Sequence, residues 1–395
     1  MPRDGCVRTG CPESDGKSMK IAQIIPTLDR SGAEKQLLLL CRELKSRGHD
    51  VQVAVLTRSG PLEPEFHASG IPVTTIGKPL KVDPFALMRL KRWLKTNRFE
   101  VVQSWLFAGN AYARAAARLA FGNRKLGRPV VLASEMAVDL WKSSWHFRID
   151  RGLQTWCDTV VGNSQAVVDF YRDTVGITPD LLSMIHSGID PDEARPVDDA
   201  ARSEARRSLG ILAEEGPVLV FAGRLAEQKR VIDLLKAADI LQHLYPKIRV
   251  LIAGDGPLRR ELEAFARDVD LGDKAKFLGL REDMPTLYEA ADAVVLPSSY
   301  EGLPNLLLEA QLRAIPVVAS AAPGTVELVE HEVTGLRFPV GDSTEFARQL
   351  ERLISDPELG RKLGAAGRTM ILEKFTVRHM ADRFEALYRE LERRR

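Results

Sequence analysis

Short runs of β-branched and aliphatic residues alternate with longer amphipathic segments along almost the whole chain, and this alternation constrains the fold more than any other feature. Residues 21–25, 51–56, 101–104, 130–134 and 159–161 read as buried strands, and 33–47, closed by Gly48, reads as a helix. Apolar strands separated by helix-length segments make βα units, which form a parallel sheet covered by helices on both faces. After 183–186 the character changes: residues 188–208 carry two prolines, Pro191 and Pro196, and dense charge. A second α/β series follows, with strands at 217–221, 249–253, 275–278, 293–296 and 316–319. A chain of 395 residues exceeds what one core usually organises. The expected architecture is therefore α/β, with two Rossmann-like βαβ domains facing across a cleft, residues 19–190 and 191–374. The tail, 375–395, places Val377, Met380, Phe384, Leu387 and Leu391 at helical spacing. Such a helix must bury its apolar stripe, and it is expected to cross back onto the first domain.

Composition excludes several classes. The formal net charge is +2 and no nucleic-acid motif occurs, so no nucleic-acid partner is expected. Cys6, Cys11, Cys41 and Cys157 lack the spacing of a zinc site or a disulfide framework, which fits a reducing, cytoplasmic compartment. No apolar run reaches the length of about 18 residues that reads as a membrane span. The first 18 residues, MPRDGCVRTGCPESDGKS, lack the apolar stretch of a signal peptide and read as a disordered leader or as an early start codon.

Ligands of facing Rossmann-like sheets bind at the carboxyl ends of the strands, and four loops there carry suitable chemistry. Gly223 lets the chain turn after 217–221, while Arg224 and Lys229 place two cations where a leaving diphosphate needs neutralising; the alternative is a solvated basic turn. Glu301-Gly302-Leu303-Pro304-Asn305 precedes a helix predicted to start near Asn305, whose free amides suit anions and sugar hydroxyls. Glu309, one turn on, suits a ribose diol, and Glu301 the hydroxyls of a transferred sugar. The same two carboxylates would suit a glycosidase, which has no need of the Arg/Lys loop. Gly254-Asp255-Gly256-Pro257 allows a base or ribose close to the backbone, or is simply a tight turn into a helix starting at Pro257. Ser31 and Glu34 form a capping box on paper, and Gly32 between them leaves room for a phosphate.

Taken in order, Gly32 and Glu34, Gly223-Arg224 with Lys229, Gly254-Asp255-Gly256-Pro257 and Glu301-x7-Glu309 resemble the retaining GT-B glycosyltransferases of family 4 (glycosyl transferases group 1). The resemblance covers nearly all of 19–395, with Gly279, Ser298 and Ala322–Glu327 in the family's loop positions. It implies that Arg224 and Lys229 bind the donor diphosphate, Glu309 the ribose, and Glu301 with the Gly302–Asn305 amides the donor sugar. Gly32 would approach the diphosphate as the cleft closes, and the first domain would hold the acceptor, a glycan or lipid-linked glycan. It also implies retention of configuration with no cofactor and no metal, the leaving phosphate oxygen taking the acceptor proton. Two D-x-D triplets occur, Asp190-Pro191-Asp192 in the linker and Asp268-Val269-Asp270 late in a predicted helix, and neither is expected to hold a metal.

One stretch departs from the family. Many members carry a His after a middle strand of the first domain, whereas Ala133–Asp139 has none. Glu135 and Asp139 are the candidates there for sugar or acceptor contact, the alternative being a surface loop or helix cap. His186, beside the linker, reads as structural. Two basic, Trp-bearing segments, 87–99 and 141–156, are candidates for peripheral contact with the inner membrane face, against ordinary surface helices with snorkelling cations. The competing functions are a GT-B nucleotide-sugar epimerase and a non-catalytic sugar-nucleotide sensor.

Overall fold

A computed structural model describes residues 17–122 and 127–395. The leader expected over 1–18 lies outside the described residues apart from Lys17 and Ser18. The alternating pattern resolves into two parallel sheets. The first holds β1 (Lys20–Ile25), β2 (Asp50–Val55), β3 (Val73–Thr75), β4 (Val101–Trp105), β5 (Val130–Glu135), β6 (Thr159–Gly162) and β7 (Leu182–Met184) in the order 3-2-1-4-5-6-7. The second holds β8 (Val218–Ala222), β9 (Arg249–Ala253), β10 (Ala275–Gly279), β11 (Ala293–Leu296), β12 (Val317–Ser320) and β13 (Leu336–Phe338) in the order 10-9-8-11-12-13. β3, β7 and β13 escaped the sequence pattern because three residues are too few to show a period.

In each sheet the strand order reverses between its first strand and its fourth: β1 pairs with β2 and β4, and β8 with β9 and β11. That reversal splays the following loops apart and opens a crevice at the carboxyl edge. The Gly32 loop follows β1, the Gly223 loop β8, and the Glu301 loop β11. Topology alone therefore brings the three loops to one place.

The last helix, Val377–Arg393, leaves the second domain and docks on the first. Val377, Met380, Ala381, Phe384, Tyr388 and Leu391 join the core built on β1, β2 and helix Gly32–Ser46. Each fully buried apolar side chain there contributes roughly 1.5–3 kcal/mol. Polar ties fix the register: His49 Nε2 meets Glu385 Oε1 at 2.9 Å, and the Tyr388 hydroxyl donates to Gln103 in the middle of the sheet. This helix thus clasps the two domains together.

Two local expectations fail. Ser31 occupies the N-cap with extended backbone but accepts no amide; its hydroxyl donates to the Glu34 carboxylate instead. Thr27 Oγ1 also donates to Glu34, at 3.2 Å, so this carboxylate staples the loop rather than closing a capping box. Pro257 sits in a turn, and the helix after it begins at Arg259.

Candidate functional site

The crevice divides into two adjoining cavities. The inner one, about 280 Å³, is walled by Gly32, Ala33, Met136, Ala137 and Asn163 from the first domain and by Lys229, Glu301, Gly302, Leu303 and Asn305 from the second. The outer one, about 560 Å³, lies between Ser31, Gly32 and Lys35 on one side and Gly223, Arg281, Tyr288 and Glu309 on the other. Gly32 and Asn305 line both.

Backbone geometry sets the second-domain wall. Lys229 ends a short 3-10 turn, Glu227–Lys229, and Arg230 after it takes a left-handed φ of 47°, held by its guanidinium on Asp233 at 2.5 Å. The turn is stitched to the loop after β11: Ser299 N donates to Gln228 O, and Gln228 Nε2 to Tyr300 O, both at 2.8 Å. This brings Lys229 Nζ to 2.5 Å from Glu301 Oε1, which also accepts from Ser298 Oγ at 2.6 Å. Gly254 has φ 125°, and a Cβ there would stand 1.9 Å from the Gly223 carbonyl. Its role is close packing beneath the loop that carries Arg224.

The described structure is closed across the inner cavity. A Cβ on Gly302 would lie 2.2 Å from Met136 O and 2.9 Å from Asn163 Oδ1, so only glycine lets the domains meet there. Asn305 Nδ2 donates to Gly32 O at 3.2 Å, and Gln36 Nε2 donates to Asn305 Oδ1 at 3.0 Å. On the far side of Gly302, Glu327 accepts from the Gln165 and Ala166 amides at 3.0 and 3.2 Å and meets His186 Nε2 at 3.0 Å. His186 is therefore part of a domain contact. Asn163 is 4% exposed, and its Oδ1 has no partner among the described residues. A buried acceptor in that state favours a hydroxyl donor.

In the outer cavity Glu309 is held by both domains. Tyr288 OH donates to its Oε2 at 2.8 Å, and Lys35 Nζ, from the first domain, lies 2.9 Å from its Oε1. Burial works against the Lys35 ammonium, but Glu309 and Glu193 outweigh it and raise its pKa. Burial, reinforced by Glu309, pushes the Tyr288 phenol well up.

Residues 202–370 match the profile described as "Glycosyl transferases group 1", and residues 30–193 match "Glycosyltransferase Family 4". The chain belongs to the family-4 glycosyltransferases of GT-B fold. It is 28% identical to EpsD of Bacillus subtilis (strain 168) over 78% of this chain and 84% of that one. It is 26% identical to the UDP-Gal:alpha-D-GlcNAc-diphosphoundecaprenol alpha-1,3-galactosyltransferase of Escherichia coli over 95% and 98%. Anabaena Alr3699/HepE in complex with UDP-glucose superposes with TM-score 0.82 at 22% identity, covering 94% of this chain and all of that one. Membership of a transferase family favours transfer over the epimerase and sensor alternatives.

For such a transferase, the structure gathers Gly32, Lys229, Glu301, Gly302, Leu303 and Asn305 in the inner cavity, and Gly32, Gly223, Asn305 and Glu309 in the outer one. Arg224 is exposed beside them, lines neither cavity and makes no ion pair among the described residues. Gly254 and Gly256 stand behind the wall, with Cβ positions pressed on the Gly223 and Leu225 carbonyls. Glu135 is only 2% exposed, so its carboxylate does not reach the cleft surface. It accepts from Asn110 Nδ2 at 2.8 Å and lies 3.7 Å from Lys142 Nζ. That ammonium also meets Asp139 at 3.1 Å and Asp150 at 3.2 Å, and Arg114 pairs with Asp150 at 2.7 Å. Burial, which outweighs Lys142, pushes the Glu135 carboxyl up to about 7. Asp139 lies at the edge of this cluster.

Sequence reasoning missed Lys35, Tyr288 and Asn163. The signal for Lys35 was its place one residue after Glu34, on the loop already singled out. Tyr288 and Asn163 gave none, because each acts through a contact made only by the fold. Among the described residues no group of three or more His, Cys, Asp and Glu side chains is placed to hold a metal ion, and no helix is long and apolar enough to cross a membrane. The helix Pro84–Asn97 buries Ala86, Leu90 and Leu94, so most of the amphipathic stripe read from 87–99 faces the core. Leu80, Val82, Phe85 and Met88 are the apolar side chains left exposed.

Proposed function

We propose that this family-4 glycosyltransferase moves a sugar from a nucleotide diphosphate, a UDP-sugar first of all, to a hydroxyl of a lipid-linked glycan, with retention of configuration. The observation that carries the reading is the Lys229–Glu301 pair on the inner cavity wall, beside the amino terminus of helix Asn305–Leu312. Positive charge for the leaving diphosphate comes from Lys229, from Arg224 swinging in, and from the helix amides. Glu301 and Asn305 then orient the sugar, and Glu309 receives the ribose once Lys35 yields it. Closure at Gly302 excludes water, which would otherwise compete with the acceptor.

Two features support retention without a metal. The first-domain wall of the inner cavity, Gly32, Ala33, Met136, Ala137 and Asn163, offers no carboxylate or imidazole as base. The acceptor proton then passes to the departing phosphate oxygen on the same face. The positive charge needed is supplied by the chain itself, so no metal or other cofactor is required. UDP is the leading nucleotide because the Anabaena neighbour was solved with UDP-glucose and the Escherichia coli relative is named for UDP-Gal. The latter name also points to a diphosphoundecaprenol-linked acceptor.

A lipid-linked acceptor requires the enzyme at a membrane, here the cytoplasmic face. Between 78 and 98 the chain has seven cations, Lys78, Lys81, Arg89, Lys91, Arg92, Lys95 and Arg98, against one acid, Asp83, which is buried as a helix cap. With exposed Leu80, Val82, Phe85 and Met88 this face suits anionic lipid. The test is incubation with radiolabelled UDP-galactose or UDP-glucose and a short polyprenyl-diphosphate-linked N-acetylglucosamine, with the anomeric proton coupling of the product read by NMR. Label transfer with an α-linkage, undiminished by EDTA, is expected. A β-linked product, or loss of activity with EDTA, contradicts the mechanism.

A further inference from the structure

The second Trp-bearing segment differs in chemistry from the helix Pro84–Asn97. Trp141 and Trp145 are 64% and 54% exposed, a costly display for one indole just before the helix Ser144–Leu153 and another in its first turn. With Phe107 and His146 they form one cluster: His146 lies 3.8 Å from Trp145, 4.9 Å from Phe107 and 5.2 Å from Trp141 between ring centroids. Two of the rings are held by hydrogen bonds. Trp141 Nε1 donates to Asp139 Oδ1 at 2.9 Å, and Ser143 N donates to His146 Nδ1 at 3.1 Å. Phe107 follows Leu106, whose φ of 62° is rare for a leucine, and the Lys142 ammonium stands 5.0 Å from the Phe107 ring centroid. The buried cluster of Lys142, Asp139, Asp150 and Glu135 therefore braces the loop that presents the rings.

That loop is the outward continuation of the cavity wall. Met136 and Ala137 line the inner cavity, and Trp141 follows Ala137 by four residues, at most about 14 Å of extended chain. Phe107 lies in the first turn of the helix Leu106–Phe121, directly after β4, which lies between β1 and β5 in the sheet. Hydrogen-bonding groups, Ser143, Ser144, His146 and Asp139, stand beside the exposed rings, together with the exposed Leu140. Flat aromatic faces carry negative potential that attracts the weakly positive C–H face of a sugar ring, and polar groups at their edges meet its hydroxyls.

From this we infer that Phe107, Trp141, Trp145 and His146 form a stacking platform for an uncharged glycan. It receives the sugar units of the acceptor that lie beyond the one reacting in the inner cavity. The inference rests on the transferase reading and assigns the acceptor a chain of at least two neutral sugars. The cation packed against the platform, Lys142 at the Phe107 ring, is buried and already faces three carboxylates, while Arg148 is exposed one turn beyond Trp145.

The test uses full-length protein on an array of short, uncharged oligosaccharides, comparing wild type with Trp141→Ala/Trp145→Ala, Trp141→Phe/Trp145→Phe and Phe85→Ala. The wild type should bind a subset of the glycans, the alanine pair at least about tenfold more weakly, and the phenylalanine pair within about threefold of wild type. Phe85→Ala should bind as wild type does. Flotation with phosphatidylglycerol vesicles runs in parallel, and the alanine pair should float like wild type. The inference is overturned if wild type binds no oligosaccharide, if the alanine pair binds equally well, or if that pair loses vesicles rather than glycans, which would make the platform a membrane contact. UDP-induced thermal stabilisation in all four proteins keeps this outcome separate from failure of the transferase reading.

Discussion

In the second domain, Lys229, Glu301 and Glu309 stand on the cavity walls, and Arg224 lies exposed beside them. In the first domain, Arg114, Glu135, Lys142 and Asp150 are each 5% exposed or less and bind one another. On the proposed function, one half directs its charges at a ligand, while this buried group in the other holds its own loops. The difference matches what that proposal has each half recognise. A diphosphate is the same anion whichever sugar it carries, so charged groups at fixed strand ends suffice. A neutral acceptor gains nothing from a facing charge, and small side chains, one amide and aromatic rings serve it better.

The largest effect that would break this contrast is on stability. Lys142→Met strands buried carboxylates and should destabilise the fold by about 3–5 kcal/mol, with UDP affinity in the surviving folded protein unchanged. Chemical denaturation and calorimetric titration check this, and a large loss of UDP affinity would mean that the cluster serves the donor directly. Next in size is Gly302→Ala, whose added methyl would meet Met136 O and hold the cleft ajar. Misplacing reacting groups by about 1 Å costs on the order of 100-fold in turnover, so steady-state rates should fall steeply while the melting temperature stays near wild type. Lys229→Ala and Arg224→Ala should each lower turnover at least tenfold, about 1.4 kcal/mol of transition-state stabilisation; full activity in both refutes the diphosphate assignment.

Smaller effects sharpen the comparison. The Glu135 carboxyl is pushed up to about 7 by burial, above its ordinary 4.5. The folded state therefore holds this proton more tightly than the unfolded chain. Its contribution to stability is complete below about pH 4.5 and is lost as the pH rises through about 7. Glu135→Gln should flatten denaturation midpoints measured between pH 5 and 8, and an unchanged slope would assign the dependence elsewhere. Smallest is Lys35→Met, which frees Glu309 for ribose. UDP should bind about threefold tighter, the scale of a partly exposed ion pair, with no gain for 2′,3′-dideoxy-UDP.

The same contrast explains what could be read from the sequence. The strands of 21–25, 51–56 and 293–296 announced themselves because a parallel strand buried on both faces is nearly all apolar, Gln23 and Gln52 being the exceptions. Lys229, Glu301 and Glu309 were legible because a strand-end loop fixes them by spacing along one segment. Asn163, Lys35 and Tyr288 were not, since each gains its role from a partner on another element: Gly302, Glu309, or both domains together. Glu135 shows the opposite error. Its place at the carboxyl end of β5 suggested a ligand contact, whereas burial and Lys142 turned it inward. The stripe in 87–99 was real, but the fold spent Leu90 and Leu94 on the core and left Leu80, Val82, Phe85 and Met88 for the surface.

The central claim, that the second domain directs its charges at a nucleoside diphosphate, is tested most directly by thermal unfolding with UDP, GDP or ADP on wild type and Lys229→Ala. Ligand at 100 times its dissociation constant adds about 2.7 kcal/mol to stability. The account predicts a clear upward shift with UDP that is lost in Lys229→Ala. No shift with any of the three nucleotides, or an equal shift in the variant, would contradict it.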